Sequence, residues 1–220
     1  MVVINNLYRL HMEIEDYDLG ILGGEDDDYP TETKIRIYAR DFNNKQKRDF
    51  GYGVDVTVNC NKGYFDYATG YMDETTDYGE NSLDNVQTFT SKIGIGGYIE
   101  LDYIPSEWGF CTITCDNIIK NVFVRGFKKV QNDPPLYVDE SIRACRLIFT
   151  NPSVEMTGSQ KTLLTNAVPQ KYLPNSYCYF NGYRDDLGFS LTTDGDIRGR
   201  RGTGSNFTPS STQHLFEWRY

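Results

Sequence analysis

Short stretches in which apolar and polar residues alternate are the feature that most limits how this 220-residue chain folds. Residues 33–40 (TKIRIYAR), 54–60 (VDVTVNC) and 98–104 (YIELDYI) place apolar side chains at every second position. Because successive side chains of a β-strand point to opposite faces, this period indicates strands with one buried face. No segment shows a sustained helical period, so the sequence predicts an all-β protein.

Further strand candidates follow the same pattern as far as the last residue. They are residues 110–115, 121–127, 142–149, 175–180 and 214–220. Gly, Asn and Pro residues separate them, and these residue types favour turns. Within residues 188–199, the dipeptide Asp194-Gly195 stands between two alternating segments, which predicts a tight β-hairpin.

The distribution of charge indicates two domains. The net charge is -9, but residues 1–119 contain 22 acidic and 9 basic residues, whereas residues 120–220 contain 9 acidic and 13 basic residues. The segment Gln131–Pro135 (QNDPP) lies near this change and combines solvated residues with prolines. The sequence therefore predicts domains over residues 1–130 and 131–220, each of an ordinary domain size.

Composition also restricts the partners of the chain. An acidic first half disfavours nucleic-acid binding, because affinity for phosphates comes mainly from clustered Lys and Arg. No apolar run approaches the roughly 18 residues that a membrane-spanning helix requires, so no membrane insertion is expected. The opening residues lack the basic start and long apolar centre of a secretory signal, which predicts no export by that route.

The cysteines predict a reducing environment. There are five, an odd number without CxxC spacing: Cys60, Cys111, Cys115, Cys145 and Cys178. Most lie beside β-branched or aromatic residues, where a free cysteine behaves as a small apolar side chain. We therefore expect buried, reduced thiols and assembly in a reducing cytoplasm, in preference to disulfides or metal ligands.

The first half resembles a bacterial Ig-like domain of the invasin and intimin type. The resemblance is carried by Ile35–Asp41, Val54–Val58, Asn61–Gly63, Gly97–Tyr103, Glu107–Gly109 and Cys111–Thr114. It implies an Ig-like β-sandwich over about residues 30–126. The acidic segment Asp66–Asn85 departs from the pattern of that family.

The second half is similar to the small β head modules of phage tail-fibre and baseplate proteins. The matching segments are Leu173-Pro174, Tyr177–Phe180 and Phe189–Ile197. The resemblance implies a small sandwich or jelly-roll-like domain that recognises a host surface or attaches to a virion, commonly as a homotrimer. Nothing in the spacing drives trimer formation, since no heptad repeat is present.

Residues for catalysis or metal binding are few. The two histidines, His11 and His214, stand outside any recognisable catalytic motif, so we expect no enzyme activity and no cofactor. The acidic loops Glu25–Asp28 and Asp73–Asp77 carry oxygen ligands of the kind that calcium prefers, but neither has the spacing of an EF-hand. They are interpreted as solvated loops, and no metal site is predicted.

Aromatic residues supply the candidate binding site. The chain has 17 tyrosines, and a tyrosine ring either fills a core or stacks on a sugar or protein surface. Tyr179, Tyr183, Arg184 and Trp218 are the candidate ligand-binding residues. The basic segment Arg198–Gly202 is a further candidate for contact with an acidic glycan or subunit, with a solvated loop as the alternative.

The resemblance of the second half to phage tail-fibre and baseplate modules implies a structural protein of a phage tail, baseplate or fibre, acting in recognition of a host-surface glycan or in attachment. The expected location is the virion, assembled in the host cytoplasm, and the expected partners are other virion proteins. A capsid decoration or head-fibre protein, a cellular surface adhesin and a glycan-degrading enzyme are the alternatives.

Overall fold

The computed structural model describes residues 8–24, 28–41, 51–150, 155–181, 187–201 and 213–220. Over these residues the backbone forms β-strands and one turn of 3-10 helix at Gln170–Tyr172, with no α-helix. The prediction of an all-β protein is therefore confirmed. The chain divides into two compact units, Met1–Gly126 (unit 1) and Phe127–Tyr220 (unit 2).

Unit 1 contains one continuous sheet. Its strands are β1 Tyr8–Ile14, β2 Asp18–Gly20, β3 Thr33–Asp41, β4 Asp55–Cys60, β5 Gly63–Met72, β6 Gly79–Val86, β7 Thr88–Ile93, β8 Tyr98–Pro105, β9 Gly109–Cys115 and β10 Ile118–Arg125. They follow the order β1-β3-β8-β5-β7-β4-β9-β10-β2, and β6 pairs with β5. All pairings are antiparallel except that of β10 with β2.

The sheet of unit 1 encloses a single core. Ile37 on β3 and Leu101 on β8 belong to the same buried cluster as Val58 on β4 and Ile113 on β9. The half β1-β3-β8-β5 therefore faces the half β7-β4-β9-β10-β2. Burial of such side chains stabilises the unit by about 1.5–3 kcal/mol each.

Seven strands of unit 1 have the spatial order of a constant-type immunoglobulin sandwich, ABED on one side and CFG on the other. In chain order, β1, β3, β4, β5, β8, β9 and β10 take the places of A to G. The remaining strands are additions, since β2 pairs alongside β10 and both β6 and β7 lie between the fifth and eighth strands in sequence. The disulfide of antibody domains has no counterpart, because all five cysteines are free.

The cysteines are mainly core residues, as the sequence predicts. Cys60, Cys111, Cys115 and Cys145 are buried, and Cys178 is partly exposed. Burial raises the pKa of Cys60, Cys115 and Cys145 to about 12. Because the thiolate is the reactive form, these thiols are unreactive near neutral pH.

The acidic segment Asp66–Asn85 contributes strands to the sheet of unit 1. It overlaps most of β5 and β6, which pair as an antiparallel hairpin. The alternation in β5 escapes sequence analysis because its register shifts between Phe65 and Tyr67, and because the next core-facing positions are the small residues Ala68 and Gly70.

Unit 2 is built from two four-stranded sheets. Its strands are β11 Lys128–Asn132, β12 Pro135–Asp139, β13 Ala144–Thr150, β14 Lys161–Leu164, β15 Cys178–Asn181, β16 Leu187–Leu191, β17 Ile197–Arg201 and β18 Gln213–Arg219. The sheets have the orders β11-β12-β13-β18 and β14-β17-β16-β15. Their buried side chains, including Leu147, Phe189 and Phe216, form one cluster. Unit 2 is thus a small sandwich. Because β11, β12 and β13 form a simple meander, the topology of unit 2 differs from that of a jelly roll, which contains two Greek keys.

Two local predictions for unit 2 have different outcomes. The hairpin around Asp194-Gly195 is present as β16 and β17, but its turn is wider than the predicted tight turn, since the last strand pair is Leu191 with Ile197 and Gly195, but not Asp194, has a positive φ, of +83°. The segment Gln131–Pro135 connects β11 to β12 inside unit 2, and the two units divide between Gly126 and Phe127. Proline disrupts helices but is compatible with turns and strand ends, so this composition marked a hairpin turn.

Candidate functional site

The outer face of the β14-β17-β16-β15 sheet carries a groove. Tyr179 pairs with Ser190, which in turn pairs with Arg198, so these three side chains form a row across β15, β16 and β17. Gly188 pairs with Arg200 two residues further along the same strands. Since residues i and i+2 of a strand share a face, Tyr179, Gly188, Ser190 and Arg200 lie on one surface.

Gly188 makes this surface concave. A Cβ at this position would meet only Cγ of Arg200, at 4.0 Å, and would otherwise enter open space. The groove has a volume of about 220 Å³ and is lined by Gln160, Tyr179, Phe180, Gly188, Phe189, Ser190 and Arg200. Pockets for whole small molecules span roughly 300–1,000 Å³, so this groove suits one unit of a larger ligand.

Tyr179 presents an aromatic ring to solvent at the edge of the groove. Its side chain is 73% exposed, and Tyr177, two residues earlier, is 43% exposed. The two rings stack with centroids 6.4 Å apart and planes 22° from parallel. Exposed, preorganised rings of this kind offer apolar area together with a hydroxyl group, which is a combination enriched at binding surfaces.

Hydrogen-bonding groups lie beside the ring. Ser190 is 2% exposed although it stands on the outer face, because neighbouring side chains cover it. The Gln160 amide nitrogen donates a hydrogen bond to Oγ of Ser190 at 3.3 Å. This contact holds the amide of Gln160 at the groove, where its other amide atoms remain able to donate and accept.

Arg200 supplies the positive charge of the described groove lining. Arg200 is exposed, and among the described residues it has no carboxylate within ion-pair distance. Its neighbour on the same face, Arg198, lies 3.8 Å from a carboxylate oxygen of Asp196. Among the described residues, no Asp or Glu lines the groove, so its described lining carries a positive charge.

The predicted binding residues lie in different parts of unit 2. Tyr179 lines the groove. Trp218 is 6% exposed and lies in the core of unit 2, where its indole N–H donates to the carbonyl oxygen of Tyr172 at 2.9 Å. The alternation of β18 turns Phe216 and Trp218 inward, so Trp218 does not belong to an exposed patch. Tyr183 and Arg184 lie outside the described residues.

The basic segment Arg198–Gly202 also differs from its prediction. Its first four residues belong to strand β17 inside the hairpin, instead of a loop after it, and Gly202 lies outside the described residues. Sequence reasoning missed Gln160, Gly188 and Ser190, because their proximity depends on strand pairing. The glycine that interrupts an otherwise aromatic and apolar strand was the available signal.

The two histidines and Asp73, the other residues considered for catalysis or metal binding, make structural contacts. His11 stacks on Tyr38 at 5.6 Å, and His214 lies 4.5 Å from the ring of Phe189. The carboxylate of Asp73 accepts hydrogen bonds from the backbone N–H groups of Thr75 and Thr76, which lower its pKa. Three or more His, Cys, Asp or Glu residues placed to hold a metal ion do not occur among the described residues. Residues 25–27 of the other acidic loop lie outside them.

Unit 1 has a larger concavity, of about 470 Å³, on the outer face of β1, β3 and β8. Its cations are paired: Lys34 and Arg36 approach the two carboxylate oxygens of Glu100 at 3.2 and 3.1 Å. Lys34 also lies 3.8 Å from Asp102. Because these charges satisfy one another, the face resembles an ordinary solvated sheet surface.

Comparison with known proteins adds no relative. No protein-family model matches the chain, and no curated protein is significantly similar to it. In the part of the chain that the structure describes, no helix has the length and hydropathy to cross a membrane. The side chains of the groove therefore carry the functional proposal.

Proposed function

We propose that this chain is a non-enzymatic component of a phage tail, baseplate or fibre, and that unit 2 recognises a glycan on the host surface. The observation that carries the proposal is the exposed Tyr179 ring beside a groove whose base is Gly188. The same groove is the place where a described sequence candidate and a concave surface coincide.

The chemistry of the groove suits a sugar. One face of a pyranose ring is lined by C–H groups and packs against an aromatic ring, while its hydroxyl groups need donors and acceptors around the rim. Tyr179 supplies the ring. Gln160 and Arg200 supply the polar atoms within the same lining, and Ser190 holds the amide of Gln160 in place. Phe180 and Phe189 pack in the hydrophobic core of unit 2 and hold β15 and β16 in place beneath the groove.

The virion assignment has weaker but independent support. Unit 1 has the strand order of an immunoglobulin sandwich, and unit 2 contains a hairpin at Asp194-Gly195. Free, buried thiols suit assembly in a reducing cytoplasm followed by release in a particle. Other virion proteins are the proposed partners, and a homotrimer is the proposed assembly.

A capsid decoration or head-fibre protein is the second candidate, and an exposed aromatic pair in unit 1 favours it. Phe110 on β9 is 69% exposed, and its ring lies 5.0 Å from that of Phe123, its cross-strand neighbour on β10. Exposed aromatic clusters are typical of protein interfaces. In this alternative, unit 1 docks on a shell protein.

Binding of the purified chain to an array of bacterial surface polysaccharides tests the glycan proposal. We expect binding to a subset of them, and loss of most of that binding in Tyr179→Ala. Tyr17→Ala is a matched control, since Tyr17 is 44% exposed and lies in unit 1. Retention of binding by Tyr179→Ala, or no binding to any polysaccharide, would contradict the proposal.

The native mass of the chain across a dilution series tests the assembly separately. A trimer that resists dilution supports a fibre or baseplate tip. A monomer would exclude a self-assembling tip and favour the decoration alternative.

A further inference from the structure

We infer that the groove of unit 2 accepts an acidic sugar, with Arg200 binding the sugar carboxylate. This inference rests on the proposed glycan-binding function and specifies its ligand class.

The charge of Arg200 is unpaired among the described residues. Arg36, Arg125 and Arg146 each lie within 3.1 Å of a carboxylate oxygen. Arg200, at the groove, has no such partner among the described residues, and the lining of the groove contains no Asp or Glu. A guanidinium presents a rigid fork of N–H donors that matches a carboxylate with two parallel hydrogen bonds. The missing partner is therefore one that a ligand carboxylate can supply.

Gly188 leaves open space beside the Arg200 side chain. Gly188 is the direct cross-strand neighbour of Arg200, and a Cβ at Gly188 would meet only Cγ of Arg200. Any larger residue at this position would occupy the space next to the Arg200 side chain. The glycine thus leaves room for a ligand group against Arg200.

Tyr179 and Arg200 stand on opposite sides of the groove. Tyr179 is on β15 and Arg200 on β17, with β16 between them. Two strand spacings and an offset of two residues along the strands place their Cα atoms roughly 12 Å apart, and both side chains line the same groove. A single acidic sugar lying over Gly188 therefore contacts the Tyr179 ring on one side and Arg200 on the other.

The surrounding charge favours an anion as well. Strand β17 carries Arg198, Arg200 and Arg201, and the second half of the chain has more basic than acidic residues. A local positive potential raises the rate at which anionic ligands associate. The acidic first half repels the same ligands, which leaves unit 2 as their binding unit.

The test uses acidic oligosaccharides paired with their neutral equivalents. Isothermal titration of the full chain compares tetragalacturonate with galactotetraose, sialyllactose with lactose, and an alginate tetrasaccharide with its carboxyl-reduced form. We expect at least one acidic member to bind ten-fold or more tightly than its neutral counterpart. Arg200→Gln should reduce that preference to less than two-fold. Arg219→Gln should preserve it, since Arg219 is exposed on β18 and lies outside the groove lining.

A second variant guards against loss by misfolding. Gly188→Leu fills the groove, and the position has neither a positive φ nor a close backbone neighbour, so we expect the melting temperature to stay within a few degrees. Binding of every sugar should be lost.

The outcomes separate the inference from the proposed function. Equal binding of acidic and neutral sugars, with loss in Tyr179→Ala, would overturn the acidic-ligand inference and leave glycan binding intact. Acidic binding that survives Arg200→Gln would overturn the role of Arg200. Absence of binding to every sugar, or binding only to an acidic protein, would overturn both.

Discussion

Two concave outer faces of the molecule differ in what their charged side chains contact. On unit 1, the larger concavity is crossed by a ladder in which Lys34 and Arg36 bind Glu100. On unit 2, the smaller groove contains Arg200, which has no carboxylate partner in the described part of the chain, next to an exposed tyrosine and a glycine. Volume alone would select the first face. The pairing of charges selects the second, because a side chain already satisfied within the fold offers little to a ligand.

The ladder of unit 1 is a structural device. Partial burial acts to raise the pKa of Glu100, but hydrogen bonds from Lys34 and Arg36 outweigh it and hold the pKa below its usual range. A carboxyl group with a lowered pKa stabilises the fold above its unfolded pKa, and that contribution is lost as the pH falls through the folded value. The ladder therefore adds to the stability of unit 1 at neutral pH.

The largest expected effect comes from removing the support beneath the groove. Phe216 is 1% exposed and its ring stacks on that of Phe180 at 4.4 Å. Phe216→Ala should lower the free energy of unfolding of unit 2 by about 3–5 kcal/mol. Trp108 lies in unit 1 and Trp218 in unit 2, so chemical denaturation followed by fluorescence in single-tryptophan backgrounds reports on each unit. A shift of the Trp108 transition of similar size would contradict independent cores.

The next effect is a pH dependence of the stability of unit 2. Burial among aromatic rings lowers the pKa of His214 from its ordinary value of 6.5. The unfolded chain then binds a proton more readily than the folded chain, so the stability contributed by neutral His214 declines as the pH falls through 6.5. Denaturation in a Trp108→Phe background should show this decline, and His214→Phe should weaken it. An unchanged pH profile in His214→Phe would contradict this assignment.

A smaller effect is expected from breaking the ladder. Glu100→Gln removes the carboxylate shared by Lys34 and Arg36, and partly exposed ion pairs contribute at most about 1 kcal/mol. The loss in the free energy of unfolding should shrink at high salt, because mobile ions screen exposed charges. Glycan binding should not change. A gain of glycan binding at unit 1 in this variant would show that pairing alone had hidden a second site.

Gly188→Asp should have the smallest effect on stability and should abolish sugar binding. Gly188→Asp places a carboxylate opposite Arg200 and so gives the groove the internal pairing that the ladder already has. The free energy of unfolding should change by no more than about 0.5 kcal/mol, as for most surface substitutions. Titration with the acidic sugars should show no binding. Undiminished affinity would contradict the importance of an unpaired cation.

Much of the fold follows from local alternation. Residues 33–40, 54–60 and 98–104 predicted β3, β4 and β8 within a residue or so at each end, since each has one face in the core. Strands with a shifted register or small core-facing residues, such as β5 and β14, escaped this method. The charged strand β11 escaped it as well, because it contributes no residue to the buried cluster.

The candidate site was less predictable than the fold. Tyr179 was identified from its polar, aromatic surroundings, but Trp218 was misjudged because alternation does not tell which face of a terminal strand is covered. Gly188 and Arg200 are twelve residues apart in sequence and meet only through the register of β16 with β17. That register depends on pairing between strands, which a single sequence does not specify.

Backbone amide chemical shifts of the full chain, titrated with the acidic oligosaccharide that binds, test the central contrast most directly. We expect the shifts of Gly188, Ser190 and Arg200 to move together with sugar concentration. We expect those of Lys34, Arg36 and Glu100 to stay unchanged. Movement centred on the ladder of unit 1, without movement at the groove, would contradict this contrast.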